Sequence, residues 1–228
     1  MQQQPHPDIL VQLETLTIDP KRPLIISDAD EVLLRFMARL EHYLDQQGLW
    51  IDLNNFAISG NIKSKSDNQP VEVPNLIDDF FAAETLHIEA TDNAASTLAQ
   101  LSERAQIIVL TNLPAAAKQA RIDNLSRHGM DYPVIVGSGL KGPAVAWLTR
   151  HIDAPVFFLD DIPHNIDSVA ECAPHVHRIH FIADPRLAGL IGAAKGASAR
   201  IDAWHEAHDW ISEKISHFEA NGDQQPLS

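Results

Sequence analysis

Three short apolar runs along the chain each end abruptly in polar residues. Leu24-Ile25-Ile26 leads into Ser27-Asp28-Ala29-Asp30, Ile107 to Leu110 leads into Thr111-Asn112, and Val156 to Leu159 leads into Asp160-Asp161. Continuous apolar runs of this length predict strands buried on both faces. The first strand is expected over 23–30, the second from 107, and three more over 133–136, 155–159 and 178–182. Between them, apolar positions recur at spacings of three and four, the period of an amphipathic helix. Leu33, Phe36, Met37, Leu40 and Leu44 predict a helix over about 32–53, with Gly48 able to cap its end. Leu76, Phe80 and Phe81 predict another over 76–86, and Ala95, Leu98 and Leu101 a third over 92–104. Pro114 follows Asn112 by two residues, so Asn112 is expected to cap a helix running to about 128. Ile201, Trp204, His208, Ile211 and Ile215 predict a packing helix over 199–218 before a loose C-terminus. Strands alternating with helices predict an α/β fold with a mainly parallel, doubly wound sheet.

Two stretches fall outside this alternation. Residues 1–18 are polar and marked by proline, with Ile9, Leu13 and Leu16 forming a short amphipathic piece that could lie on the core, and the first few residues are expected to be disordered. Residues 60–68, Gly-Asn-Ile-Lys-Ser-Lys-Ser-Asp-Asn, are too rich in turn formers to be read as a core element. At 228 residues and 45% apolar content, the chain can bury one substantial core with a small second domain. Its 17 basic and 31 acidic residues give a net charge of −14, which argues against nucleic acid or anionic lipid as partner. A small phosphorylated substrate remains compatible, because a bound cation and one lysine can dominate the field inside a site. Cys172 is the only cysteine, read as a small buried hydrophobe, and it permits no internal disulfide. With no leader-like start and no apolar run of membrane-spanning length, a soluble cytoplasmic protein is expected. His175, His177 and His180 have no carboxylate-rich partner segment nearby and are read as surface or core histidines rather than metal ligands.

The chemistry is concentrated where the apolar runs stop. Side chains alternate along an extended segment, so Asp28 and Asp30 point the same way. They would stand beyond the carboxyl edge of a parallel sheet, where open α/β folds hold their ligands. Lys141 follows the turn-like Gly137-Ser138-Gly139 and heads the apolar-periodic residues 144–148. The order along the chain is therefore acid pair, hydroxyl, lysine, acid pair.

That order resembles the four motifs of the haloacid dehalogenase (HAD) superfamily, most of whose members are phosphatases. The match runs over about residues 23–182 with one insertion. The resemblance implies a Rossmann-like sheet of strand order 5-4-1-2-3 with a small helical type 1 cap: core from 19–32 and 91–228, cap insertion 33–90, and residues 1–18 as an N-terminal tail. It implies that Asp28 is a nucleophile forming an aspartyl-phosphate, and that Asp30 is the general acid and base, an acid that the superfamily's dehalogenases lack at this place. Thr111, with Asn112 at the following helix start, and Lys141 would bind the phosphoryl group. Mg²⁺ would be held by the carboxylates of Asp28 and Asp161 and the carbonyl of Asp30. Asp160 is the alternative direct ligand to Asp161, and Asn165 orients Asp161 or the metal's waters. The implied activity is Mg²⁺-dependent hydrolysis of a small phosphorylated metabolite. A catalytically silent binding module and a phosphotransferase are the competing readings. Two departures from the usual Asp-x-Asp-Gly-Thr, Glu31 for glycine and Val32 for threonine, bear on that choice. Glu31 would restrict the backbone and place negative charge near an anionic substrate.

Overall fold

A computed structural model describes residues 4–222. In chain order it contains α1 (Pro7–Leu13), β1 (Leu24–Ser27), α2 (Phe36–Gln46), β2 (Leu49–Ile51), β3 (Ile62–Ser64), α3 (Leu76–Glu84), α4 (Ala94–Ser102), β4 (Gln106–Asn112), α5 (Lys118–Arg127) and β5 (Val134–Gly137). There follow α6 (Gly142–Thr149), β6 (Val156–Asp160), α7 (Pro163–Cys172), β7 (His177–His180), α8 (Pro185–Ala188), β8 (Ala199–Arg200) and α9 (Trp204–Gly222). Short 3₁₀ turns at Thr85–His87 and Ala115–Ala117 follow α3 and precede α5. The expected disorder of the first few residues and the loose C-terminus lie outside the described residues. Among these residues no helix is long and apolar enough to cross a membrane.

Six strands form one sheet in the order β5-β4-β1-β6-β7-β8, every neighbouring pair parallel. Read from the β7 side, the five expected strands stand in the order 5-4-1-2-3, as the resemblance implies. β1 is central and fully enclosed, and its side chains alternate between two cores. Ile25, Val109, Phe157 and Leu159 face a core built with α2, α3, α4 and α9, while Leu24, Ile26, Ile108 and Phe158 face one built with α1, α6 and α7. The sixth strand was not expected. Ala199 and Arg200 opened the predicted tail helix, yet they pair with Ile179 and His180 and cover the outer edge of β7, so the helix begins only at Trp204. At the opposite edge, the N-terminal segment does lie on the core. Ile9 and Leu13 are buried, and the Gln12 side chain donates to the Val136 carbonyl (2.7 Å) and accepts from the Val136 N–H (3.0 Å), closing the free edge of β5.

The insertion between β1 and β4 is less helical than its apolar spacing suggested. Residues 31–33 form a turn and Leu34 bridges to Asp30 and Ala90, α2 stops at Gln46, and Gly48 takes a positive φ of 73° from which the chain enters β2 instead of continuing as helix. β2 pairs antiparallel with β3, Ile51 opposite Ile62, so the polar stretch 60–68 contains a strand after all. Lys63 explains how so polar a strand holds: its ammonium pairs with Asp52 at 2.5 Å and lies 5.1 Å from the Trp50 ring, while Ile62 is buried. Phe36, Phe80, Phe81 and Tyr43 pack edge-on or tilted around α2 and α3, with centroids 5.1–5.7 Å apart.

Candidate active site

Because β4, β1 and β6 are parallel and in register, with Ser27 opposite both Val109 and Leu159, their carboxyl ends reach one edge of the sheet together. Asp28 leaves β1 there, its N–H donating to the Leu159 carbonyl at 2.8 Å. One oxygen of its carboxylate accepts from the Ala29 N–H and from the Lys141 ammonium, each at 2.7 Å. Lys141, almost wholly enclosed at the head of α6, bridges that oxygen and Asp160 Oδ2, again at 2.7 Å. Gly142 lets the head of α6 pack closely on α7, since a Cβ there would lie 2.3 Å from Ser168 Oγ. Burial disfavours the lysine's charge, but Asp160 and Asp28 outweigh it and hold the ammonium above the usual lysine range.

Asp28, Asp160 and Asp161 each bring an oxygen within 4.8 Å of the other two. Three carboxylates against one ammonium leave an excess of two negative charges, and burial with mutual repulsion pushes the Asp160 and Asp161 carboxyls upward. The two aspartates differ in their partners. Asp160 accepts from Lys141, from the Ile162 N–H (2.9 Å) and from the Asn165 amide (3.0 and 3.2 Å). Among the described residues the Asp161 carboxylate accepts no hydrogen bond. Asn165 therefore orients Asp160 and not Asp161, and Asp161 keeps its oxygens free. The Asp161 carbonyl is fixed by buried His180, 2.9 Å from its Nε2, with the His180 Nδ1 accepting from the Ala194 N–H. An oxygen-only donor set with a two-charge excess fits Mg²⁺.

Thr111 is fully buried and its hydroxyl has no hydrogen-bond partner among the described residues. Such an orphan costs about 1–3 kcal/mol, and a ligand oxygen would satisfy it. Asn112 does not cap a helix: it ends β4 and donates to the Gly139 carbonyl at 2.9 Å, tying that strand to the loop that carries Lys141. The helix expected from this point starts instead with a 3₁₀ turn and becomes α5 at Lys118.

Asp30 meets a residue that sequence reasoning missed. Both its oxygens accept from Arg121 Nη2, at 2.7 and 3.0 Å. Burial raises the Asp30 carboxyl above its ordinary range, and the Arg121 charge opposes that rise. Arg121 is wholly buried within α5, its Nε and Nη1 without partners among the described residues and its guanidinium 5.8 Å from the Phe81 ring centre. The available signal was a polar face at helical spacing: Arg121, Asn124 and His128 all point inward, the latter two bonding the Ile88 carbonyl.

Glu31 stands at φ 56°, the conformation that glycine adopts most easily. Its carboxylate borders the aspartate cluster, where its charge adds to the repulsion on Asp161, and it is tied to the next helix. The buried carboxylate accepts from the Met37 N–H at 2.6 Å in the first turn of α2, and burial pushes its carboxyl up to about 7. Val32 is buried and its carbonyl accepts from Thr91 and Trp204. Cys172 is half-buried rather than buried, and His177 stacks on Phe157 at 5.3 Å.

Asp28, Asp30 and Asp161 open on a cavity of about 400 Å³ whose far wall is the insertion: Phe36, Leu53, Phe56, Ile58, Ile77 and Phe81. Neither Thr111 nor Lys141 lines it. A larger hollow of about 550 Å³ lies on the other side of Glu31, but it contains none of these aspartates, and its Arg35 and Arg186 are paired with Asp92 and with Asp184 and Glu41.

No family model matches the sequence, and no curated protein is detectably similar to it. Solved structures match it by fold. A haloacid dehalogenase-like family protein from Streptococcus pneumoniae superposes with a TM-score of 0.55 at 12% identity, covering 85% of this chain and 100% of that one. The YfnB protein of Bacillus subtilis, solved bound to magnesium, gives 0.53 at 12% identity over 84% and 99%. A dehalogenase gives 0.56 at 10% identity over 85% and 98%. The chain has the haloacid dehalogenase-like fold.

Proposed function

We propose that the protein is a Mg²⁺-dependent phosphomonoesterase acting on a small metabolite through an aspartyl-phosphate. The observation that carries this reading is the pairing of a cavity-facing Asp28 with buried Lys141, beside an Asp161 carboxylate and a Thr111 hydroxyl that have no hydrogen-bond partner among the described residues. Uncatalysed phosphate-monoester hydrolysis is so slow that roughly 20 kcal/mol of barrier must be removed. Dividing the reaction into two displacements makes that attainable.

In the first, an Asp28 oxygen attacks phosphorus, the P–O ester bond breaks, and protonated Asp30 delivers its proton to the departing alkoxide. In the second, ionised Asp30 takes a proton from water as that water attacks phosphorus, releasing inorganic phosphate and restoring Asp28. Burial keeps Asp30 protonatable, and Arg121 holds it in one orientation for both transfers. Lys141 fixes one Asp28 oxygen, so the other is presented for attack. The Thr111 hydroxyl would donate to a phosphoryl oxygen drawn towards Asp28. Mg²⁺, held by the Asp28 and Asp161 carboxylates and the Asp30 carbonyl, would supply positive charge against the phosphate dianion. The Asp30 carboxyl favours ester hydrolysis over dehalogenation, which has no alkoxide to protonate. We read residues 33–90 as a cap over the site and residues 1–18 as a strap on the core.

The test is phosphate release from a panel of phosphomonoesters with and without Mg²⁺. Metal-dependent turnover abolished by Asp28→Asn is the expected result; turnover that survives this substitution removes Asp28 as nucleophile.

A further inference from the structure

On the sheet side the cavity is polar, with Asn112 and Asn165 already donating to Gly139 and Asp160, but the wall that faces the leaving group is one-sided and points to a substrate class. We infer that the alcohol released is an uncharged, mainly apolar one, aromatic or branched-aliphatic, rather than a sugar or a nucleoside. This rests on the phosphatase reading and specifies what the site selects.

The wall contributed by residues 36–81 presents Phe36, Leu53, Phe56, Ile58, Ile77 and Phe81 to the cavity. Its one polar side chain is Asn55, whose carbonyl oxygen already accepts from Asn61 at 2.6 Å and so leaves only its N–H groups to offer. A hexose carries several hydroxyls, and each one left without a partner on desolvation is costly. A phenyl or branched-alkyl group costs nothing of that kind and gains free energy from the area it buries.

Charge narrows the class further. Among the described residues no lysine, arginine or histidine lines the cavity, whereas Asp28, Asp30, Glu31 and Asp161 do. A second anionic group on the leaving portion, such as a carboxylate or another phosphate, would find carboxylates and no basic side chain. The volume of about 400 Å³ suits one ring or a short branched chain beside the phosphoryl group, at the small end of ligand sites. Ile77 and Ile162, two of the few large apolar side chains left exposed on the molecule, stand at this same cavity. A ligand body of matching character accounts for their exposure.

The test compares benzyl phosphate with glucose 6-phosphate in Mg²⁺. Both release primary alcohols, so leaving-group chemistry does not decide the outcome. The expected result is a kcat/KM at least about tenfold higher for benzyl phosphate, equivalent to roughly 1.4 kcal/mol. Ile77→Asn, at a site exposed enough to accept a polar side chain, is expected to cut that preference severalfold. Comparable or faster turnover of glucose 6-phosphate overturns the substrate class and leaves the phosphatase reading standing. Absence of phosphate release from both esters, and from the wider panel, overturns the phosphatase reading and this inference with it.

Discussion

Thr111 separates stability from activity at the scale of one residue. Its hydroxyl is buried without a partner, so the folded protein bears the cost of removing it from water and recovers nothing. Thr111→Val keeps the shape of the side chain and removes the orphan. Urea denaturation is expected to show the variant as stable as the parent or up to about 1 kcal/mol more so, while kcat/KM falls about a hundredfold through loss of one phosphoryl-oxygen donor. A destabilised variant with unchanged kcat/KM would make Thr111 a packing residue. The residues that were legible from sequence share one property: Asp28, Thr111, Asp160 and Asp161 stand where an apolar run stops, a place where polar groups serve no core. Arg121 had no such marker. It lies in a polar helix, where an arginine ordinarily reaches solvent, and its helical spacing with Asn124 and His128 is a weak signal beside its packing against Asp30 and Phe81. The direction of Glu31 was hidden for a related reason: at φ 56° the chain turns the side chain towards the start of α2, and composition cannot show that.

Among the elements, β-strands buried on both faces were readable because continuous apolar runs have few other uses, and their order followed from the motifs they carry. The insertion was not. Apolar spacing from Leu33 to Leu44 continued plausibly through Leu49 and Ile51, but the positive φ at Gly48 converts that tail into a hairpin strand whose partner is a mostly polar segment. β8 was missed because two residues offer no periodicity to detect. The N-terminal helix makes the clearest element-scale prediction. Gln12 gives both a donor and an acceptor to Val136, standing in for a neighbouring strand at the β5 edge, and also accepts from Lys118 at 2.7 Å. Gln12→Ala leaves a partly buried N–H and carbonyl unpaired, at a cost of about 1–3 kcal/mol. Hydrogen exchange should therefore speed up at the Val136 amide while the central β1 amides keep their protection. Equal acceleration at β1 and β5 would mean that the contact supports the whole sheet and not its edge.

At the scale of the molecule, a chain with a net charge of −14 gathers three carboxylates around one ammonium inside its core, which opposes folding. On the proposed reading, Mg²⁺ binding to the folded state alone would stabilise it by mass action, about 2.7 kcal/mol at a hundredfold excess over Kd. For a chain of this size, that corresponds to a rise in Tm of about 5–10 °C. Asp161 bears this most directly, since burial and repulsion from Asp160 and Asp28 both act against its charge and no protein hydrogen bond offsets them. Asp161→Asn removes one of the two excess charges. In chelator-treated protein the variant is expected to melt higher than the parent, and on adding Mg²⁺ the parent should gain stability while the variant gains little. The two effects have opposite signs and come from the same side chain, so a merely structural aspartate would not reproduce them: its loss would lower the melting temperature in chelator and leave the Mg²⁺ response intact. Scanning calorimetry of both proteins, with chelator and with millimolar Mg²⁺, measures all four values.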